Sequence, residues 1–241
     1  MSAANSGATH APPCLSDDAS RPSRLEKRLP TLLSLVAGMV DLIGFLTLGN
    51  VFTAHITGNL VVVSAVLVRG GPLNLAQALA IPVFILAVAA MWLLARASHR
   101  SGPGLARLLL LVHFLLLSGV LILSVLTRPW SNPHGLMAGI IVMFAVAAMA
   151  SQYALFRLAM PRTISTAVMT GNLTNTVLSL LDTLSQTRAA MEGAAERLRT
   201  SLHLLFGFLV GCVVAAVAVS LLGEWAWSFP VALAGLAMAF W

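Results

Sequence analysis

Charged side chains are scarce in this chain. Asp, Glu, Lys and Arg make up 9% of the 241 residues, whereas hydrophobic residues make up 59%. A soluble domain carries about 25% charged residues, because it needs them to cover a water-facing surface. The composition therefore excludes a soluble globular protein. Apolar runs of about 20 residues, the length that crosses a hydrocarbon core, recur along the chain and predict an integral membrane protein.

Cysteine and the common catalytic motifs are also scarce. The two cysteines, Cys14 and Cys212, lie in a polar stretch and in an apolar run, so the chain has no disulfide framework and no Cys-x-x-Cys pair. It has no Gly-x-Ser-x-Gly elbow, phosphate loop or His-Glu-x-x-His motif. Three histidines in or beside apolar runs lack the spacing of metal ligands: His55, His113 and His203. We therefore expect no enzyme, no cofactor and no metal site, and we expect these histidines to hydrogen-bond between helices.

The net charge of +6 does not indicate a nucleic-acid partner. The Lys and Arg residues lie in short clusters between apolar runs and do not share one amphipathic face. Such clusters set membrane topology and contact anionic lipid headgroups. The expected partner is the lipid bilayer.

The chain contains an internal repeat, and this repeat organises everything else. Thr57-Gly58-Asn59-Leu60 recurs as Thr170-Gly171-Asn172-Leu173, which is 113 positions later. Thr53-Ala54 recurs as Thr166-Ala167 at the same offset, and each copy lies between two apolar runs. A duplication fixes the architecture, so it is the first feature to establish.

The residues around this repeat resemble a known family. Gly38-Met39-Val40-Asp41-Leu42-Ile43-Gly44-Phe45, the segment 51–60 and the segment 168–175 are similar to the YoaK family of bacterial membrane proteins, which carries a domain of unknown function (1275). The resemblance covers about residues 30–241. It implies a multi-pass protein of the bacterial inner membrane. It implies no established substrate or catalytic residue.

Eight apolar segments follow a basic tail (residues 1–28, expected to be disordered), at about 31–49, 51–68, 74–95, 106–127, 135–157, 164–182, 200–222 and 226–241. If all eight cross the membrane, nine Lys and Arg residues lie on the side of the tail and five on the other. Alternatively, the segments 51–68 and 164–182 enter the membrane and return on the same side. Twelve Lys and Arg residues then lie on the side of the tail and two on the other. Cytoplasmic loops are enriched in Lys and Arg, so the second arrangement is favoured, with the N-terminus in the cytoplasm.

The predicted fold class follows from this count. It is an all-α polytopic transmembrane bundle with six spans and two re-entrant or broken segments. Three spans in each copy is an odd number, so the second repeat (131–241) runs upside down relative to the first (29–130). Such an inverted 3+3 repeat is a recurrent plan of secondary transporters, whose site lies near the midplane between the halves.

The paired motif suggests how a site could be built. Gly58 and Gly171 allow a tight break, Thr57 and Thr170 suit helix N-caps, and Asn59 and Asn172 both donate and accept hydrogen bonds. The start of a helix within the membrane favours an anion or a carboxylate. Alternatively, the same groups only satisfy one another where the backbone breaks.

Two further polar residues lie on apolar segments. Asp41 falls near the middle of the first segment, where an unpaired charge costs on the order of 2.5–3.5 kcal/mol, so it should face the bundle interior. It could couple a proton or a cation, contact a substrate, or form a fixed pair with His55 or Arg157. Its counterpart in the second copy is Ala154, so such a site is asymmetric. Gln152 is a second candidate for lining a site.

Smaller features complete the prediction. Gly207 and Gly211 have the spacing that lets two helices approach closely. The segment 186–200 is interpreted as a short amphipathic helix on the cytoplasmic surface, and Pro82 is expected to kink its helix. Three tryptophans are predicted at the headgroup level: Trp130, Trp225 and Trp227.

Three functions compete. A small secondary transporter or permease, with a site for a small polar or anionic solute between the two Thr-Gly-Asn elements, explains the inverted duplication best. A non-transporting scaffold or accessory subunit would use the same motif only for packing. An intramembrane enzyme using Asp41 and a histidine lacks any nucleophile–base pairing in the sequence. The small size of the bundle favours a homodimer.

Overall fold

The computed structural model describes residues 24–161, 169–184 and 194–240, and within these ranges the chain is helical and has no strand. The α-helices in order are α1 (Arg24–Thr47), α2 (Ile56–Arg69), α3 (Leu75–Ala97), α4 (Gly102–Thr127), α5 (Leu136–Ala154), α6 (Met169–Leu184), α7 (Ala194–Leu222) and α8 (Ser228–Phe240). Short 3-10 helices lie at Pro129–Ser131 and Gly223–Trp227, and α5 continues as a π-helix over Leu155–Ala159.

The helices have the length and polarity of a membrane bundle, as the composition predicted. Five stretches are long and apolar enough to cross a bilayer: Arg28–Thr47, Leu75–Ala97, Gly102–Thr127, Leu136–Ala159 and Ala194–Ala239. The last of these contains both α7 and α8. The apolar helix α2 is shorter than a span.

Helices α1 and α7 form a tight pair and run in the same direction. A Cβ atom on Gly207 would lie 2.9 Å from the Thr31 carbonyl oxygen, and one on Gly211 would lie 2.2 Å from that of Leu35. The spacing of the two glycines therefore lets the backbones touch, as the sequence indicated. The Ser34 hydroxyl adds a bond of 2.6 Å to the Leu204 carbonyl oxygen.

Helices α4 and α5 run antiparallel. His113 on α4 bonds through Nδ1 to the Ala148 carbonyl oxygen at 2.8 Å, so this histidine joins two helices as expected. Gly119, further along α4, faces the ring of Phe144, which lies earlier on α5.

A cluster of apolar side chains at one end of the bundle shows which helix ends meet. The start of α1 packs there with the start of α4, the π-helix that ends α5, the end of α3 and the end of α8, through Leu29, Leu33, Leu105, Leu155, Ala95 and Ala237. We call this end of the bundle the arginine end, because it carries the exposed residues Arg28, Arg96, Arg100, Arg107, Arg157, Arg197 and Arg199. The opposite end holds the end of α1, the start of α3 and the 3-10 corner between α7 and α8.

Two helix boundaries and one burial differ from the sequence-based expectation. Residues 24–28, expected to belong to a disordered tail, are part of helix α1 (Arg24–Thr47); residues 1–23 lie outside the described chain. The prediction of a separate surface helix over 186–200 is wrong for residues 194–200, because these residues belong to α7. Residues 186–193 lie outside the described chain. Trp227 is fully buried, whereas Trp130 and Trp225 are exposed as predicted.

Candidate functional site

The chain breaks sharply after α1. Gly49 and Asn50 have φ angles of 75° and 59°, so two consecutive left-handed residues turn the backbone. Gly49 also has no room for a side chain, since a Cβ atom would lie 2.8 Å from the Pro133 carbonyl oxygen. The start of α3 holds this turn: Asn74 Nδ2 donates to the Gly49 carbonyl oxygen at 2.8 Å, and Gln77 Nε2 donates to that of Asn50 at 2.9 Å.

Asp41 organises the segment that follows the break. Its Oδ1 atom accepts hydrogen bonds from the backbone N–H groups of Thr53 and Ala54, both at 2.8 Å, and of His55 at 3.3 Å. Its Oδ2 atom lies 2.6 Å from His55 Nδ1. The side chain is buried, with 7% of its surface exposed. One carboxylate thus satisfies the N–H groups of an unwound segment that has no helix or sheet partner of its own.

His55 is the less buried partner of this pair. Its side chain is 39% exposed, and its ring lies edge-on to that of Phe208 on α7 at 5.2 Å. The bond to Asp41 raises the pKa of His55 above its usual 6.5, against the opposing effect of burial. The sequence offered His55 or Arg157 as a partner for Asp41. In the structure Asp41 pairs with His55, whereas Arg157 is exposed at the arginine end.

Asn59 also forms hydrogen bonds to the unwound segment between α1 and α2. Its Oδ1 accepts from the Phe52 N–H at 2.9 Å, and its Nδ2 donates to the Phe52 carbonyl oxygen at 2.7 Å. Gly58 lies against the ring of Phe52, where a Cβ atom would come within 3.0 Å. Because Gly58 has no side chain, the ring of Phe52 can lie against the start of α2.

The expected roles of Thr57 and Gly58 need correction. Helix α2 begins at Ile56, with His55 at the N-cap position, so Thr57 is an exposed residue inside the first turn and does not cap the helix. Gly58 is helical, and the break lies upstream at residues 48–55. The backbone turns at the left-handed Gly49-Asn50 pair. The Asp41 carboxylate and the side-chain amides of Asn74 and Gln77 replace the lost helical hydrogen bonds.

The second Thr-Gly-Asn motif also lies on a helix, since α6 is described from Met169 to Leu184. Thr170 and Gly171 are both helical, so Thr170 is not an N-cap and Gly171 is not a break. Asn172 is buried, with 3% exposed, as is Asn59 in the first copy. The segment 162–168, which includes Thr166-Ala167, lies outside the described residues.

Helix α6 carries a polar stripe that the sequence analysis missed. Asn172, Thr176 and Ser179 are buried at spacings of four and three, whereas the apolar Val177 and Leu178 between them are exposed. The Thr176 hydroxyl donates to the Asn172 carbonyl oxygen at 2.9 Å. A helix with polar residues inward and apolar residues outward suits a lipid environment. The spacing alone could have revealed this stripe.

Gln152 and its neighbour connect α5 to the first copy. Gln152 Nε2 donates to the Leu33 carbonyl oxygen at 3.0 Å, and the hydroxyl of Tyr153 donates to the Ala54 carbonyl oxygen at 2.8 Å. Tyr153 is the one tyrosine of the chain and was not predicted as a site residue. The same backbone unit, Ala54, is therefore held by Asp41 through its N–H group and by Tyr153 through its carbonyl group.

The structure brings some predicted site residues together and not others. Asp41, Thr57, Gly58 and Asn59 gather around the unwound segment, which Tyr153, the neighbour of Gln152, also contacts. The second motif, Thr170–Asn172, lies on α6, whose principal packing partner is α7. No group of three or more His, Cys, Asp or Glu side chains within the described residues could hold a metal ion.

These features define a multi-pass helical membrane protein. The model of the family "Protein of unknown function (DUF1275)" matches residues 29–240, and the chain belongs to this family. The chain is similar to the UPF0700 transmembrane protein YoaK of Bacillus subtilis (strain 168), with 64% identity over 33 residues. That match covers 14% of this chain and 15% of YoaK. No solved structure matches the chain.

Proposed function

We propose that this protein is a small inner-membrane secondary transporter with an inverted 3+3 repeat. The observation that carries the proposal is the direction of the helices. Helices α1, α4 and α7 lead away from the arginine end, and α3, α5 and α8 lead back to it. The segment between α1 and α3 starts and finishes at one end, and the segment between α5 and α7 starts and finishes at the other. This pattern supports six crossings, with α2 and α6 as the elements that do not cross.

The packing partners support the repeat. In the proposed repeat, the counterparts are α1 and α5, α2 and α6, α3 and α7, and α4 and α8. When each helix is replaced by its counterpart, every pair of helices in contact becomes a pair that is also in contact. Thus α1–α7 corresponds to α5–α3, α4–α5 to α8–α1, and α2–α3 to α6–α7, and all of these pairs are in contact. Transporters of this plan bind solute near the interface of the two copies.

The distribution of arginine supports an orientation. The arginine end carries seven exposed arginines among the described residues, and the opposite end carries Arg69 and Arg128. Because Lys and Arg are enriched on the cytoplasmic side, the arginine end lies in the cytoplasm, with the N-terminus. The break at residues 48–55 then opens toward the outer side of the membrane.

The chemistry of the first motif favours an anionic solute. Three backbone N–H groups converge on one oxygen of Asp41 just before a helix begins, which is the geometry of an anion site. Asp41 fills this site as a tethered anion. A solute carboxylate could replace it once Asp41 withdraws, and Thr57, exposed in the first turn of α2, would face the incoming group. Movement of the unwound segment would then accompany binding, as in other broken-helix transporters.

The test is flux in proteoliposomes. We expect the wild-type protein to carry at least one member of a panel of small carboxylates and zwitterions, with a rate that depends on a proton gradient. Asn59→Ala and Asn172→Ala should lower the flux at least about tenfold, the effect of roughly 1.4 kcal/mol. Ser64→Ala on α2 and Asn175→Ala on α6, both at exposed positions, are the matched controls. No flux above protein-free liposomes across the panel would contradict the proposal.

A scaffold function is the second candidate, and one observation favours it. Both polar ends of the Asn59 amide and both oxygens of Asp41 already have partners within the chain. If the motif serves packing alone, Asn59→Ala lowers the stability in detergent, no solute moves, and a partner protein co-purifies with the wild type. Flux by the wild type separates the two candidates.

A further inference from the structure

One feature not used by the proposed function is an open cavity between the starts of α3 and α5. Its volume is about 500 Å³, within the range of about 300–1,000 Å³ typical of small-molecule sites. Its walls are mainly apolar, and they include Leu75, Leu79, Leu136, Ile140 and Met143. It lies at the end of the bundle opposite the arginine end.

Gly139 contributes to this space. A Cβ atom added there would meet nothing within 4 Å, although Gly139 is on α5 and lines the cavity. The α1–α7 pair, by contrast, is so tight that Cβ atoms on its glycines would collide with backbone. The α3–α5 pair is the counterpart of α1–α7 in the proposed repeat, and it is open at Gly139.

The polar groups of the cavity are few and lie at one side. Asn74 lines it, but Oδ1 of Asn74 accepts from the Ala76 N–H and its Nδ2 donates to Gly49. His134, in the loop before α5, is exposed and lines the cavity, and within the described part of the chain its ring makes no hydrogen bond. The cavity thus combines a hydrocarbon-lined wall with a single imidazole at its rim.

We propose that this cavity binds the hydrocarbon chain of an amphiphile, with His134 at the headgroup. Leu75 and Leu136 beside it are more than half exposed, so a chain from the surrounding bilayer can enter laterally. The lining offers no charge for a polar solute. The site is separate from Asp41 and Asn59 and does not depend on transport.

Photo-crosslinking tests the site on the purified full-length protein. One arm uses a free fatty acid with a diazirine in its chain, and the other uses a phospholipid with the same photoreactive chain. Adducts are mapped by peptide mass spectrometry. We expect adducts concentrated on residues 72–79 and 133–143 in at least one arm. The arm that labels identifies the source of the chain, and His134→Ala should weaken labelling most where the headgroup is a free carboxylate.

Filling the cavity gives the decisive comparison. Gly139→Phe should lower labelling of these two segments about fivefold or more, a change that corresponds to roughly 1 kcal/mol. Gly104→Phe is the matched control, because Gly104 lies in the first turn of α4 and an added Cβ atom would meet only Arg100 Cβ at 4.0 Å. If Gly139→Phe aggregates, Gly139→Leu gives the same test with a smaller side chain. Adducts spread evenly over all lipid-facing helices, or unchanged in the filled variants, would overturn the proposal.

Discussion

Asp41 and His55 form a side-chain pair across the break between α1 and α2, with Oδ2 and Nδ1 2.6 Å apart. The other carboxylate oxygen accepts three backbone N–H groups of the same segment. Asp41 is therefore the main hydrogen-bond acceptor for a stretch of backbone that has left the helix. The carboxylate that the sequence singled out is buried, and it accepts the hydrogen bonds that the unwound backbone donates.

Removing this carboxylate should destabilise the protein strongly. Asp41→Gly leaves buried N–H groups without an acceptor, and we expect a loss of about 3–5 kcal/mol in the free energy of unfolding. Titration with SDS in mixed micelles measures it. Because the empty position is an anion site, formate should restore part of the loss in Asp41→Gly and have no effect on the wild type. Equal stability of variant and wild type would remove Asp41 from this role.

The pair should make stability depend on pH. Asp41 raises the pKa of His55, which lies outside the spanning helices, so the folded protein holds the imidazole proton more tightly than the unfolded chain. The stabilisation is present in full below pH 6.5, the usual His value, and is lost as the pH rises through the raised pKa. Melting temperatures of wild type and His55→Gln should therefore converge as the pH increases. His99→Gln, in an exposed loop, should keep the wild-type profile.

Asn59 should stabilise the break without any charge. Asn59→Ala removes both bonds to Phe52 and leaves its backbone groups unsatisfied, which we expect to cost about 2–3 kcal/mol. Ser64→Ala, exposed on the same helix, should change the free energy of unfolding by less than about 0.5 kcal/mol. Circular dichroism during heating measures both variants. A stable Asn59→Ala would show that Asp41 alone is sufficient to hold the segment.

The contact between α1 and α7 should tolerate no added atoms. Gly211→Ala places a methyl group 2.2 Å from the Leu35 carbonyl oxygen, so the helices must separate. We expect a loss of about 1–3 kcal/mol, the range for overpacking. Gly139→Ala is the paired control, because it adds the same atom to open space, and it should be neutral or slightly stabilising. Similar losses in both variants would indicate a general effect of replacing glycine.

Cysteine labelling should give the membrane topology. In a background with Cys14 and Cys212 replaced by serine, Arg69→Cys should react with an impermeant maleimide added outside intact cells. Arg100→Cys and Arg157→Cys should react only after the membrane is opened. The expected difference follows from six crossings with the arginine end in the cytoplasm. Labelling of all three positions from one side would contradict this orientation.

The sequence predicted the helical bundle because apolar runs of spanning length are a strong and local signal. It also placed both Thr-Gly-Asn motifs on apolar segments, and the structure has helices at both, α2 and α6. It misplaced the break, because a glycine such as Gly58 indicates conformational freedom or close packing equally well. Here Gly58 accommodates Phe52, and the backbone turns at Gly49 and Asn50. Asn74 and Gln77 hold this turn from the start of α3, which lies far along the chain.

Side-chain partners were less predictable than helices. The pairing of Asp41 with His55 was among the options, because both residues lie near the first motif. Tyr153 could not be assigned to the same segment, since its bond to Ala54 joins positions 99 residues apart. The burial of Trp227 depends on the 3-10 helix at Gly223–Trp227, and no local sequence pattern predicts this turn. Such contacts follow from how helices pack.

That buried indole has a practical consequence. Trp227 is wholly shielded from water, whereas Trp92, Trp130 and Trp225 are about half exposed. Its emission should therefore lie at shorter wavelength than that of these three exposed tryptophans and resist quenching by iodide or acrylamide. A protein carrying Trp227 and no other tryptophan would report optically, without any attached dye, whenever the corner between α7 and α8 opens.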